Sequence, residues 1–272
     1  MFECVVNIAE GRDQDVLDHL SAAAGASLRD RHADPWHHRS VFTLIDEPPA
    51  LATAVRELAS AAYERIDLRR HHGVHPRIGV VDVVPFVALD PARASEACAL
   101  RDEMAEWLAT RFDVPVFLYG PVGDGERTLP DIRRDAFARR GPDVGPPQPR
   151  PERGASAVGC RGLLVAWNVW LGEVTLAEAR AIAHAVRGPA VRSLAFPVGE
   201  SVQVSCNLID PLRVGPSTVY DAVAAALPRS GVIERSELVG LAPRALLERE
   251  PRERWDELDL SPERTIEART GL

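Results

Sequence analysis

Residues 39–89, RSVFTLIDEPPALATAVRELASAAYERIDLRRHHGVHPRIGVVDVVPFVAL, read as a strand, a helix and a second strand. RSVFTLID (39–46) is short and apolar, as a half-buried strand requires. Pro48 and Pro49 open a helix that runs to about Ile66, with alanine and leucine at helical spacing. IGVVDVVPFVAL (78–89) is a near-continuous apolar run, hence a strand, and Pro85 within it predicts an edge or a bend. Upstream, FECVVNI (2–8) is a strand, 11–25 a helix ending at Gly25, and 26–32 a strand facing 39–46 across the turn ADPWHH. Downstream, 91–112 is an amphipathic helix and VPVFLYG (114–120) a strand. The order β-α-β-β-α-β-α-β predicts a split-βαβ, ferredoxin-like unit with an addition.

Residues 120–156 break the pattern. GPDVGPPQPRPERGA (141–155) holds five prolines, so it is a loop. LLVAWNVWLG (163–172) starts a second series: strand, helix to Gly188, strands at 191–198 and 201–210, helix at 215–228, strand at 232–241 and a short helix after it. The predicted class is α/β (α+β), with two ferredoxin-like split-βαβ subdomains at 1–160 and 161–272. The charged stretch 250–272 is expected to be a docked or frayed tail.

Composition limits the chemistry. With 46% hydrophobic residues, the 272-residue chain can bury a substantial core. No apolar run approaches the roughly 18 residues needed to span a bilayer, and residues 1–13 lack the pattern of a signal peptide. A cytoplasmic protein is expected. The net charge of −8 argues against a nucleic-acid partner, which needs a basic face. All 32 basic residues are arginine. No pyridoxal phosphate lysine and no P-loop lysine are therefore available, and arginine must recognise any carboxylate. Cys4, Cys98, Cys160 and Cys206 form no C-x-x-C pair, so buried thiols are expected rather than disulfides.

HHGVHPR (71–77) concentrates polar chemistry ahead of the strand. His75 sits at its mouth, and histidine suits proton transfer near neutrality. Arg12, Arg39 and Arg77 are candidate carboxylate clamps. Asp82 is a candidate to orient His75. Asn7, Asn168 and Asn207 are candidate substrate amides. His32, His37, His38, His71 and His72 raise a metal site, but Gly73 and Pro76 oppose a helix there and no glutamate or cysteine accompanies them at a recognisable spacing. No metal is expected.

These strings also carry a family likeness. ECVVNIAEGRD resembles the opening E-C-V-P-N-F-S-E-G of the glutamate formimidoyltransferases, the formiminotransferase half of formiminotransferase-cyclodeaminase and its stand-alone bacterial relatives. HHGVHPRIGVVDVVPF resembles the family's H-x-G-x-H-P-R-x-G-x-x-D-V-x-P-F. DPWHHRSVFTL, VPVFLYG, RTLPDIR, PDVGP, GASAVG and ELVGLAP follow in family order, so the likeness runs from residue 3 to about residue 247. It implies two α/β subdomains with a cleft between them, homodimers, and transfer of the formimino group of N-formimino-L-glutamate to N5 of tetrahydrofolate in histidine degradation. The family's catalytic acid/base histidine matches His75. Its folate-binding loop matches 145–154: Gly145, Pro146, Pro147, Gln148, Pro149, Arg150, Pro151, Glu152, Arg153 and Gly154. Asn7, Arg39, Arg77 and Asn168 lie in or near matched strings as substrate contacts.

The chain departs from the family pattern in places that bear on substrate identity. His38 stands where asparagine is usual, Trp170 replaces an amide, 145–154 lacks aromatic residues, and the stretch from Gly188 to Ser201 is shorter. The alternatives are a related transferase with another donor or acceptor, a non-catalytic folate-binding homologue, and a metal hydrolase built on the histidines.

Overall fold

The computed structural model describes residues 1–271. The chain divides into two compact units, Met1–Gly162 and Leu163–Leu272. The first contains β1 (Phe2–Ile8), α1 (Gln14–Ala24), β2 (Leu28–Asp34), β3 (Arg39–Asp46), α2 (Pro48–Arg65), β4 (Val81–Ala88), α3 (Ala94–Phe112), β5 (Val116–Val122), β6 (Gly125–Arg127), α4 (Leu129–Asp135) and β7 (Ser156–Cys160). Its sheet runs β2-β3-β1-β4-β7-β5-β6. β1 is antiparallel to both β3 and β4, and β2 is antiparallel to β3, which is the split-βαβ arrangement.

Local signals set the ends of these elements. Asp13 caps α1 by accepting from the amides of Asp15 and Val16, so the helix starts later than the apolar spacing suggests. Pro48 and Pro49 occupy the first turn of α2, where the missing N–H is tolerated. Strand alternation sends Phe2, Cys4, Val6 and Ile8 into the core under α1–α3. It leaves Glu3 and Asn7 on the opposite face, with their cross-strand neighbours Ile45 and Val41. That polar face carries the candidate site.

The structure corrects three expectations in this unit. Pro85 does not lie on an edge, because β4 is a central strand between β1 and β7. The register to β1 places Cys4 opposite Phe86 and Asn7 opposite Val83 and gives no pair at Pro85, so the absent N–H falls in a gap of the ladder. Second, SAVGC forms β7, an unanticipated strand parallel to both β4 and β5. It is too short and too rich in small residues to show a period, and its smallness is needed: a Cβ at Gly159 would lie 2.2 Å from the Tyr119 ring. Third, Cys98 and Cys160 are disulfide-bonded, joining α3 to β7 across a sequence separation of 62 with Cα atoms 5.1 Å apart. Cys4 and Cys206 are buried thiols.

Reducing that disulfide relaxes the loop constraint on the unfolded chain, a loss of about 4 kcal/mol for a loop of this length. The urea midpoint is expected to drop on adding reductant, and Cys98→Ser should show the reduced midpoint throughout. Equal midpoints with and without reductant would contradict the bond.

The second unit contains β8 (Val165–Gly172), α5 (Leu176–Ala185), β9 (Val191–Val198), β10 (Ser201–Leu208), α6 (Pro216–Ala225), β11 (Val232–Val239), α7 (Arg244–Leu247) and α8 (Ile266–Thr270). Its sheet, β11-β8-β10-β9, is antiparallel throughout and repeats the connectivity of β1–β4. The charged tail is docked: Leu258, Leu260 and Ile266 are buried, and the Trp167 indole donates to the Leu258 carbonyl at 2.8 Å. Each such leucine contributes about 2 kcal/mol of apolar burial. Leu272 lies outside the described residues. Among the described residues no helix is long and apolar enough to cross a membrane.

Candidate active site at the entrance to β4

Residues 71–80 lead into β4 without regular structure. The His75 ring is partly accessible, and its Nδ1 lies 2.8 Å from the Pro76 carbonyl oxygen. A carbonyl only accepts, so Nδ1 carries the hydrogen and Nε2 carries the lone pair. Burial, then the charges of Arg39 and His37, hold the imidazole well below its ordinary pKa. The ring is thus neutral near pH 7, with a basic nitrogen. His37 packs beside it, with centroids 5.3 Å apart.

The turn between β2 and β3 is laced to this segment. Asp34 accepts from the amides of Trp36 and His37, closing the turn. Val74 N–H donates to the Trp36 carbonyl. Arg77 donates to the carbonyls of His37 and His38 at 2.6 and 2.8 Å. Gly73 permits this approach, because a Cβ there would meet the His37 oxygen at 2.1 Å. Arg77 therefore fastens two backbone segments behind His75.

Asp82 is completely buried. It accepts from Arg39, from both terminal nitrogens of Arg133, and from the Ile78 amide at 2.8 Å. Burial pushes the carboxyl up, but Arg39 and Arg133 pull it further down, well below the usual carboxylate range. Arg39 also donates twice to Asn7 Oδ1, at 3.1 and 2.7 Å. The guanidinium of Arg39 and the amide oxygen of Asn7 are thus engaged with each other. Asp82 holds the backbone three residues beyond His75.

Glu10, in the loop between β1 and α1, is buried next to these groups. Its Oε1 accepts from the amides of Gly11, Arg12 and Asp13. His38 Nε2 lies 3.1 Å from Oε1, and His71 Nε2 lies 2.8 Å from Oε2. Burial raises this carboxyl too, but His71 and the backbone donors outweigh it. The two histidine rings stack at 4.4 Å.

The 145–154 loop is tied at both ends. Val144 bonds Val116 at the start of β5, while Gly154 pairs with Gly79 and the Val80 amide donates to the Arg153 carbonyl. The end of the loop therefore runs beside Ile78–Val80, a few residues from His75. Arg150 donates to Asp113 and Arg153 to the Phe112 carbonyl, anchoring the loop to the end of α3. Pro147 and Gln148 are exposed. Gly145 and Gly154 both have positive φ, 89° and 70°, which favours glycine. Asn168 belongs to the second unit, on β8. There Glu237 accepts from Asn168, Trp170 and Gln203, and Arg235 lies over the Trp170 ring.

A family profile described as the N-terminal subdomain of the formiminotransferase domain matches residues 1–161. A glutamate formimidoyltransferase of Streptococcus pyogenes serotype M1 is 32% identical over 268 residues, covering 89% of this chain and 88% of its own length. The chain belongs to the formiminotransferase family. A glutamate formimidoyltransferase of Thermoplasma acidophilum is 31% identical, covering 91% of this chain and 89% of itself. The formimidoyltransferase-cyclodeaminase of Sus scrofa is 33% identical, and the match spans 51% of its length. This formiminotransferase-family chain is a transferase-type enzyme.

Sequence reasoning did not single out Arg133 or Glu10 in this family member. Arg133 is the last residue of the RTLPDIR string, and only its ion pair with Asp82 distinguishes it from a surface arginine. Glu10 lies inside ECVVNIAEGRD, 28 residues from His38 and 61 from His71, so no spacing pattern reveals the cluster. Glu3 is a further buried acid, pushed up to about 7 by burial that Arg161 only partly offsets.

Proposed function

We propose that this chain transfers the formimino group of N-formimino-L-glutamate to N5 of tetrahydrofolate, with His75 as the acid/base. The observation that carries the reading is the His75 tautomer: Nδ1–H donates to the Pro76 carbonyl, and a neutral ring presents Nε2 as base. In the reaction the new bond joins the acceptor nitrogen to the formimino carbon, and the bond from that carbon to the glutamate nitrogen breaks. Nε2 takes the proton of the attacking nitrogen and returns it to the departing one, so one imidazole serves both halves.

The folate is proposed to lie against 145–154, whose prolines make a rigid surface that needs little ordering on binding. Arg77, Asp82, Arg39 and Asn7 are assigned to positioning, because their polar groups are engaged with one another or with the backbone around His75. The reading carries with it a cytoplasmic homodimer that acts in histidine degradation. A different donor on the same chemistry is the second reading. It is favoured by Trp170, which buries an indole where the resemblance leads to an amide.

Formation of 5-formimino-tetrahydrofolate from formiminoglutamate, followed by absorbance, tests the proposal. Turnover is expected, with folate affinity weakening as salt rises because the glutamate tail is charged. Saturable folate binding without product would favour the second reading or a non-catalytic homologue. Absence of reduced-folate binding into the millimolar range would remove the folate assignment altogether.

A further inference from the structure

We propose that Glu10, His38 and His71 form a site for one divalent transition-metal ion of the zinc class. His38 Nδ1 faces the His72 carbonyl at 3.3 Å, and His71 Nδ1 faces the Asp67 carbonyl at 3.0 Å. Both carbonyls can only accept, so each Nδ1 carries a hydrogen. In the neutral ring the lone pair then sits on Nε2. Both Nε2 atoms point at the carboxylate of Glu10, 3.1 and 2.8 Å away. Three electron-pair donors converge on one another in a buried place.

A positive charge placed among them would relieve this convergence of lone pairs. Two extra protons would serve, but they would put two like-charged rings face to face at 4.4 Å. One divalent cation supplies the same charge without that repulsion. The ligand atoms all lie within 4.8 Å of one another. Bonds of about 2.1 Å to a zinc-class ion put donor atoms about 3.4 Å apart in a tetrahedral set, so each imidazole nitrogen, now 3.1 or 2.8 Å from its carboxylate oxygen, would move by about half an ångström or less to admit the ion.

The surroundings resemble those of built metal sites. Ligand histidines ordinarily donate their second ring N–H to a backbone carbonyl or a carboxylate, which fixes the tautomer. Both do so here. Three backbone amides hold Glu10 Oε1 and leave Oε2 facing His71. Two imidazoles and one carboxylate suit zinc, copper or nickel rather than magnesium or calcium.

The site would join three segments of low regularity: the loop after β1, the turn before β3 and the segment bearing His75. Bound metal would hold that last segment, since His71 is four residues before His75. The proposal is independent of the reaction assigned above, and its readout is metal content rather than turnover.

The test uses the full chain and a variant that keeps the fold. His38 has φ 48°, a left-handed conformation that asparagine adopts more readily than histidine. His38→Asn therefore removes a ligand without straining the turn. Chelator-treated protein is titrated with Zn²⁺, and bound metal is counted by elemental analysis after gel filtration. Co²⁺ is added in parallel for its visible spectrum. We expect one ion per chain in the wild type, affinity at least about tenfold weaker in His38→Asn, and tetrahedral Co²⁺ bands only in the wild type. Affinity should rise with pH as ligand protons are displaced. Equal binding by wild type and variant, or no bound ion at millimolar Zn²⁺, would overturn the site and leave protons as the charge in the cluster.

Discussion

Replacing His75 by alanine is expected to lower turnover by about two to four orders of magnitude, the usual scale for a general acid/base. The circular dichroism spectrum and the urea midpoint should change little, because a partly accessible ring supplies little core packing. The pH profile adds a second check. Burial, Arg39 and His37 hold this imidazole below its ordinary value of 6.5. The base form thus persists below pH 6.5, and the acid limb of kcat/KM should fall beneath that point. Stability follows the same sign. The unfolded chain takes up this proton first as pH falls, so the contribution of neutral His75 is complete above about 6.5 and is lost as pH falls through the folded value. Wild-type turnover in His75→Ala, or an acid limb centred above pH 7, would remove His75 from the mechanism.

Asp82→Asn is expected to destabilise the fold strongly. It keeps the shape but leaves Arg39 and Arg133 without their shared carboxylate. Asp82 is wholly buried and the Arg39 side chain is only 9% accessible, so solvent cannot substitute for the lost charge. Breaking such a pair costs about 3–5 kcal/mol. Chemical denaturation with fluorescence detection measures this directly. A change below about 1 kcal/mol, the scale of surface pairs, would place the network in the solvated class. The carboxyl is depressed in the folded state, so its contribution is present above the unfolded value near 4 and is lost as pH falls through the folded value. Glu10 behaves in the same direction. Acid unfolding should therefore begin below about pH 4, and Asp82→Asn should flatten that part of the curve.

A clamp role for the arginines was a reasonable expectation in a chain without lysine, yet the structure engages them internally. Arg39 meets Asp82 and Asn7, Arg77 meets two carbonyls, and Arg150 and Arg153 fasten the proline-rich loop to Asp113 and Phe112. A motif shows that a cation is present at a position. It does not show which acceptor the fold presents to it.

The sequence by itself determined the order of elements from β1 to β5 and from β8 to α7, because period-2 and period-3.6 apolar spacing, proline at helix starts and side-chain caps act within a few residues of chain. It also offered His75 and the 145–154 loop as candidates, through strings whose residues are contiguous. Only the tertiary structure decided where β7 inserts, that Pro85 sits in a central strand, and that Cys98 meets Cys160. It alone brought Glu10 to His38 and His71, and Arg133 to Asp82. Those contacts join residues between 28 and 62 positions apart. At such separations a contact leaves no local period in the chain, because it is set by the packing of helices and strands that must first exist.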